Sequence, residues 1–294
     1  MSHKARIGVI GGSGVYRIEA LTDLQEVALT TPFGPASDTY RVGEIQGQAV
    51  AFLARHGRGH TISPTHLNHR ANIYGFKQLG VEYLISANAC GSVRPHLEVG
   101  TIVVPDQLYD HTRLRSLSFF DDAGAGTQGV VVHIPFEQPF CPFLNAICGR
   151  SLQETGAPVV AGGNFLTIEG PRFSSRFETA TFVGWGTDIL GMTTSPEAQL
   201  AREAEMSFSV MAHITDQDTV DEKETVSVDV VLANVARNAA KINAAVERAV
   251  ILLADAPPSP QADVLANSIQ TDPSHITRAQ VEAVPELLGK YFPL

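Results

Sequence analysis

The sequence predicts an α/β fold on three observations. Apolar runs of strand length recur from Ile7 to Thr215, stretches with helical apolar spacing lie between several of them, and glycine or polar clusters stand where the runs end. Open α/β sheets bind ligands at the carboxyl ends of their strands, so those clusters are where chemistry is expected. With 294 residues and 44% hydrophobic content the chain can bury a sizeable core. That leaves room for one large domain or two small ones, and neither an internal repeat nor a separate second domain is visible.

A net charge of −10 argues against a general nucleic-acid binder, which relies on surplus Lys and Arg, so any anion site must be local. Cys90, Cys141 and Cys148 lack zinc-like or redox spacing and read as buried thiols in a reducing cytoplasm. Met1 to Arg6 leads straight into a strand rather than a signal peptide, and no apolar run reaches membrane-spanning length. The expectation is a cytoplasmic protein with neither membrane nor nucleic acid as partner.

In chain order, Ile7–Ile10 is a short strand followed by Gly11-Gly12-Ser13-Gly14. A glycine turn there lets backbone N–H groups approach an anion, and Ser13 adds a hydroxyl. It also reads as an ordinary tight turn or a damaged dinucleotide fingerprint; the spacing is not GxGxxG and no Walker lysine follows. Thr31 to Pro35 is a turn. Ala49–Ala54 is a second strand ending on Arg55-His56-Gly57-Arg58-Gly59-His60, an arrangement suited to an oxyanion. Pro64 to Leu79 carries Leu67, Ala71 and Tyr74 at helical spacing, with Gly80 placed to end it.

Val81–Ala87 is a buried strand running into a small-residue loop, Asn88 to Ser92. Thr101–Pro105 is a further strand, and Asp106 to Gly129 a long surface excursion. Pro139–Glu154 is helical, Val159–Ile168 is a strand interrupted by Gly162-Gly163, and Glu169 to Arg176 is a polar loop around Phe173. Phe173 is either a core plug or a ring that stacks on a flat ligand. Ser175 caps a helix to Val183. A long helix runs from Val228 to Leu253, with its stripe mostly core; Ala256 to Pro260 is a linker, and a short helix spans Ile276 to Leu288.

The stretch from Gly191 to Asp218 organises the rest. Met192 to Glu197 starts a helix, with Thr194 and Glu197 at capping-box spacing, and Phe208–Thr215 is a buried strand. Residues two apart on a strand share a face, so Asp216 and Asp218 stand side by side. An Asp pair there reads as a solvated turn, a divalent-metal site, or a grip on a hydrogen-bonding ligand.

Taken together, the strand with GGSG, LARHGRGH, NACGS, DQxxDxTxxRxxSF, HIPFxxPFC, TIEGPRFSSR, MTTSPEAxLAxEA and TDQD resemble the methylthioadenosine phosphorylase branch of the purine nucleoside phosphorylase family, in order from Ile7 to about Leu253. The resemblance implies a purine nucleoside phosphorylase-like α/β fold, a central mixed sheet flanked by helices, with residues 1–255 as the phosphorylase domain. Residues 256–294, a Pro-rich linker and C-terminal helix, would pack on it. It further implies a homotrimer or dimer of trimers, no metal and no cofactor, with inorganic phosphate as cosubstrate.

By that resemblance the phosphate cradle is Ser13, Arg55, His56, Asn88, Ala89 and Thr193. The base clamp is Asp216 and Asp218, with Phe173 stacking and Ser174 nearby. Asp216 would protonate N7 of the departing purine and Asp218 accept from the 6-amino group. Met192, Val228, Val231, Leu232 and a neighbouring subunit's His133 would surround the ribose and its 5′ group. The implied reaction is phosphorolysis of 5′-methylthioadenosine to adenine and 5-methylthioribose 1-phosphate.

The chain departs from the family pattern at Asn88 (usually Thr), Gly191 (Asn) and Gln217 (Tyr), and in a shorter loop from Thr219 to Val226 without the family's Trp. Competing readings are a phosphorylase for 6-oxopurine nucleosides such as methylthioinosine or inosine, hydrolysis of the same bond by water, a dinucleotide oxidoreductase, and a nucleoside sensor without turnover. Hydrolysis would leave the anion set without purpose, and the oxidoreductase fails on glycine spacing.

Overall fold

The computed structural model describes residues 4–12, 21–218 and 228–293. Strands β1 (Ile7–Gly11), β2 (Thr22–Val27), β3 (Tyr40–Ile45) and β4 (Gln48–Ala54) precede helix α1 (His69–Gln78). Strands β5 (Tyr83–Ser92), β6 (Ile102–Val104) and β7 (Gln107–His111) follow, then α2 (Pro142–Glu154), β8 (Val159–Ala161), β9 (Asn164–Ile168) and α3 (Arg176–Gly184). The remainder is β10 (Ile189–Gly191), α4 (Thr194–Glu203), β11 (Ser207–Gln217), α5 (Val228–Leu252), α6 (Arg278–Ala283) and α7 (Pro285–Leu288).

Among the described residues the strands form one 11-stranded mixed sheet. At its centre β4, β1, β5 and β11 run parallel, so their carboxyl ends meet at one edge. Short β10 crosses the far half of β5 antiparallel and is joined by β9 and β7. Alternation along β5 divides the core. Tyr83, Ile85 and Ala87 face α2 and α5, whereas Leu84 and Cys90 face α1 and α4. Leu265, Val281, Val284, Leu287 and Leu288 are buried in the cluster that holds α1 and α4.

Several local expectations change. Asn88–Ser92 is strand rather than loop, paired with β11 on one side and at its end with β10. The 106–129 excursion opens with β7, which pairs with β9 and was hidden by its polar composition. The first helix begins at His69 rather than Pro64, because Asn68 turns to accept the Ala71 N–H at 3.1 Å while Leu67 stays extended. Gly162 and Gly163, both at positive φ, separate β8 from β9 and send them to different parts of the sheet. Ser175 caps α3 in a full capping box with Glu178. All three cysteines are buried and unbridged.

Candidate active site

A cavity of about 510 Å³ opens at the shared carboxyl edge of the central strands. That volume is within the usual range for small-ligand sites. It is walled by Gly12 after β1, Arg55 and His56 after β4, Asn88 to Gly91 on β5, Thr215 and Asp216 on β11, and Asp218 just after it. Met192 and Thr193 follow β10, Phe173 and Ser174 come from the loop before α3, and Val228, Val231 and Leu232 come from the first turns of α5. Distant stretches therefore converge because parallel strands carry their ends to one place. Ser13 and the 219–226 loop lie outside the described residues. His133 does not line the cavity in this chain; it is exposed, with its N–H on the Ser268 carbonyl at 2.9 Å.

Arg55 is only 1% exposed. Its Nε and Nη2 grip the two Glu197 carboxylate oxygens at 2.5 and 3.1 Å, and Nη2 also donates to Ser86 Oγ at 2.6 Å. A charge this deep is tolerable only when paired and hydrogen-bonded. Glu197 is thus not the capping partner of Thr194 that its spacing suggested; α4 begins behind Thr193 without a side-chain cap. Nη1 lies beside Gly12, 3.5 Å from where a Cβ there would stand.

His56 Nδ1 is 2.8 Å from the Ile62 carbonyl and therefore donates to it. Burial, reinforced by the Arg55 charge, pushes the His56 pKa down to about 4. The ring is neutral near pH 7, and its Nε2 is an acceptor. Asn88 is held inward: Nδ2 donates to Thr194 Oγ1 at 2.7 Å and Oδ1 accepts from Ser86 Oγ at 3.0 Å. Its side chain thereby fixes the Thr193–Thr194 turn.

The two aspartates owe their placement to a bulge. Register between β11 and β5 shifts between Ile214 and Asp216, and α5 pins the shifted backbone through Asn234 Nδ2 on the Thr215 carbonyl at 2.6 Å. Thr215 Oγ1 donates to Asp216 Oδ1 at 2.7 Å. A Cβ at Gly91 would stand 2.8 Å from Asp216 Oδ2 and 3.9 Å from the Asp218 Cβ, so both side chains rest over one glycine. Among the described residues no group of three or more His, Cys, Asp or Glu could hold a metal ion.

Ser174 Oγ is buried and has no hydrogen-bond partner among the described residues, leaving a donor and acceptor in the cavity wall for a ligand. Phe173 is half exposed beside it. Met192 packs on Gly170, and Gly191 is needed because Phe165 would stand 2.4 Å from any Cβ there. Sequence reasoning missed Glu197, Ser86, Asn234 and Arg115. Glu197 and Arg115 lie within the SPEA and DQxxDxTxxRxxSF strings, but nothing in either string says what they would meet.

The phosphorylase superfamily's sequence profile matches residues 6–251. The S-methyl-5′-thioadenosine phosphorylase of Thermosynechococcus vestitus is 44% identical over 98% of this chain and 99% of its own. A methylthioadenosine phosphorylase from an antarctic soil metagenomic library superimposes with a TM-score of 0.90 at 36% identity, covering 97% of this chain and 99% of that one. The methylthioadenosine phosphorylase of Schistosoma mansoni in complex with adenine gives 0.86 at 32% identity over 91% and 99%.

Proposed function

The chain belongs to the phosphorylase superfamily, and from that premise we propose that it splits 5′-methylthioadenosine with inorganic phosphate into adenine and 5-methylthioribose 1-phosphate. The observation that carries this reading is the meeting of a buried Arg55 and the Asp216–Asp218 pair in one cavity. An anion cradle and a purine clamp within one cavity is what phosphorolysis of an N-glycosidic bond requires.

Arg55, the Ala89 amide, the Thr193 hydroxyl and Ser13 hold phosphate, and neutral His56 accepts from its P–OH. Holding the nucleophile beneath the anomeric carbon saves the entropy of a bimolecular encounter. A phosphate oxygen forms the new bond to C1′ as the C1′–N9 bond breaks and its electron pair passes to the purine. The negative phosphate stabilises the oxocarbenium character that develops on the ribose. Asp216 delivers a proton to N7, so adenine leaves neutral, and Asp218 accepts from the 6-amino group. A 6-oxopurine would present an acceptor to Asp218 and leave a buried polar group unpaired, which sites of this kind reject strongly.

Phe173 stacks on the base and the open hydroxyl of Ser174 serves its edge. Met192 backs the ribose, while Val228, Val231 and Leu232 offer an apolar wall to the methylthio group. Residues 1–255 form the catalytic unit and 256–294 pack on it. The assembly is a homotrimer, in which His133 reaches a neighbour's site, working in the cytoplasm without metal or cofactor. Purine release from methylthioadenosine and methylthioinosine, each with and without phosphate, tests the reading. Adenine should appear only with phosphate and methylthioinosine should be inert; adenine release without phosphate would make the enzyme a hydrolase.

A further inference from the structure

Arg115 does not line the cavity, yet its side chain is only 2% exposed and spends its N–H groups on two loops that do. Nη1 donates to the carbonyls of Met192 at 2.6 Å and Ser195 at 2.7 Å, one on each side of Thr193 and Thr194. Nη2 donates to the Glu169 carbonyl at 2.7 Å, and Nε to Glu169 Oε1 at 3.0 Å. Glu169 is the root of the loop that carries Phe173 and Ser174. Its other oxygen accepts the N–H groups of Arg113 and Leu114 at 2.6 and 3.1 Å, so the segment bearing Arg115 is tied to the same carboxylate. Thr65 Oγ1, on the segment after His56, also reaches the Glu169 carbonyl at 3.3 Å.

Four directed bonds from one planar guanidinium fix the relative position of two loops with little freedom left, which an ammonium on a flexible stem could not reproduce. The Thr193 hydroxyl belongs to the phosphate side of the cavity and Phe173 with Ser174 to the base side. Misplacement of either by a fraction of an ångström is costly, since the reacting groups gain most of their advantage from alignment.

We infer that Arg115 is a positioning residue that sets the phosphate half and the base half of the site against each other, acting through Thr193 on one side and Glu169 on the other. The inference rests on the phosphorylase reading above. The test compares full-length wild type, Arg115→Gln, Thr193→Val and the double variant, with KM measured separately for phosphate and methylthioadenosine and folding followed by circular dichroism. Arg115→Gln should raise both KM values by roughly tenfold, and in the Thr193→Val background its effect on phosphate KM should shrink to about twofold, the non-additivity of residues acting through one another.

Additive effects on phosphate KM, or a change in only one of the two KM values, would overturn the inference. If Arg115→Gln does not fold, Glu169→Gln replaces it. That variant keeps the bonds to the Met192 and Ser195 carbonyls, so it should raise nucleoside KM while leaving phosphate KM within about twofold; equal losses on both would count against the inference. Wild type itself failing to release adenine with phosphate would instead sink the functional reading, and calorimetric titration of the same four proteins with adenine and with inorganic phosphate would then judge Arg115 separately.

Discussion

The two ends of the cavity are built differently. At the proposed phosphate end the side chains stand on central strands or directly behind them, and Arg55 is locked by Glu197 and Ser86 inside the protein. At the proposed 5′ end the wall is the first turns of α5, where Val228 is 60% and Leu232 50% exposed in the single chain. Anion binding demands charge held without reorganisation, so it falls to the rigid sheet edge. Apolar contact with a methylthio group is non-directional and tolerates an exposed helix that another surface covers. A homotrimer that brings His133 to a neighbour would provide that cover.

The contrast breaks most visibly at Asp216. Asp216→Asn removes the proposed proton donor without touching the proposed phosphate end, so turnover should fall by about a thousandfold while phosphate binding stays intact; single-turnover adenine release with a phosphate titration would show it. Near-normal turnover would remove Asp216 from the mechanism. At the rigid end Glu197→Gln leaves Arg55 charged and buried without its counter-ion. We expect a loss of about 3 kcal/mol of stability in urea unfolding. A loss below about 1 kcal/mol would mean that Arg55 does not depend on that pair.

The soft end should respond least. Val228→His places a hydrogen-bonding ring where the wall is apolar, and should move the ratio of kcat/KM for methylthioadenosine over adenosine towards adenosine by several-fold, on the order of 1 kcal/mol. The fold should be unaffected, because this residue is exposed. An unchanged ratio would show that α5 does not line the 5′ pocket.

Much of the site was readable because its residues sit in short strings whose chemistry is local. Arg55-His56 after a strand and Asp216-x-Asp218 at the end of another announce themselves by type and spacing. Their partners do not. Glu197 looked like a capping residue because capping-box spacing is satisfied by sequence alone, and only the packing of α4 against the sheet turns it towards Arg55. Arg115 lay in a stretch read as surface excursion, because polar β7 gives no strand signal until β9 lies beside it.

By itself the sequence determined the alternation of strands and helices, the glycines at tight places and the chemical types at each strand end, since these depend on side-chain period and backbone freedom within a few residues. The tertiary structure alone determined that Asn88 to Ser92 would be strand and that a bulge at Thr215 would set both aspartates over Gly91. It alone placed Glu197 and Arg115 behind the walls of the cavity. Those features depend on which edges and faces meet across long separations in the chain, and local propensity carries no record of that.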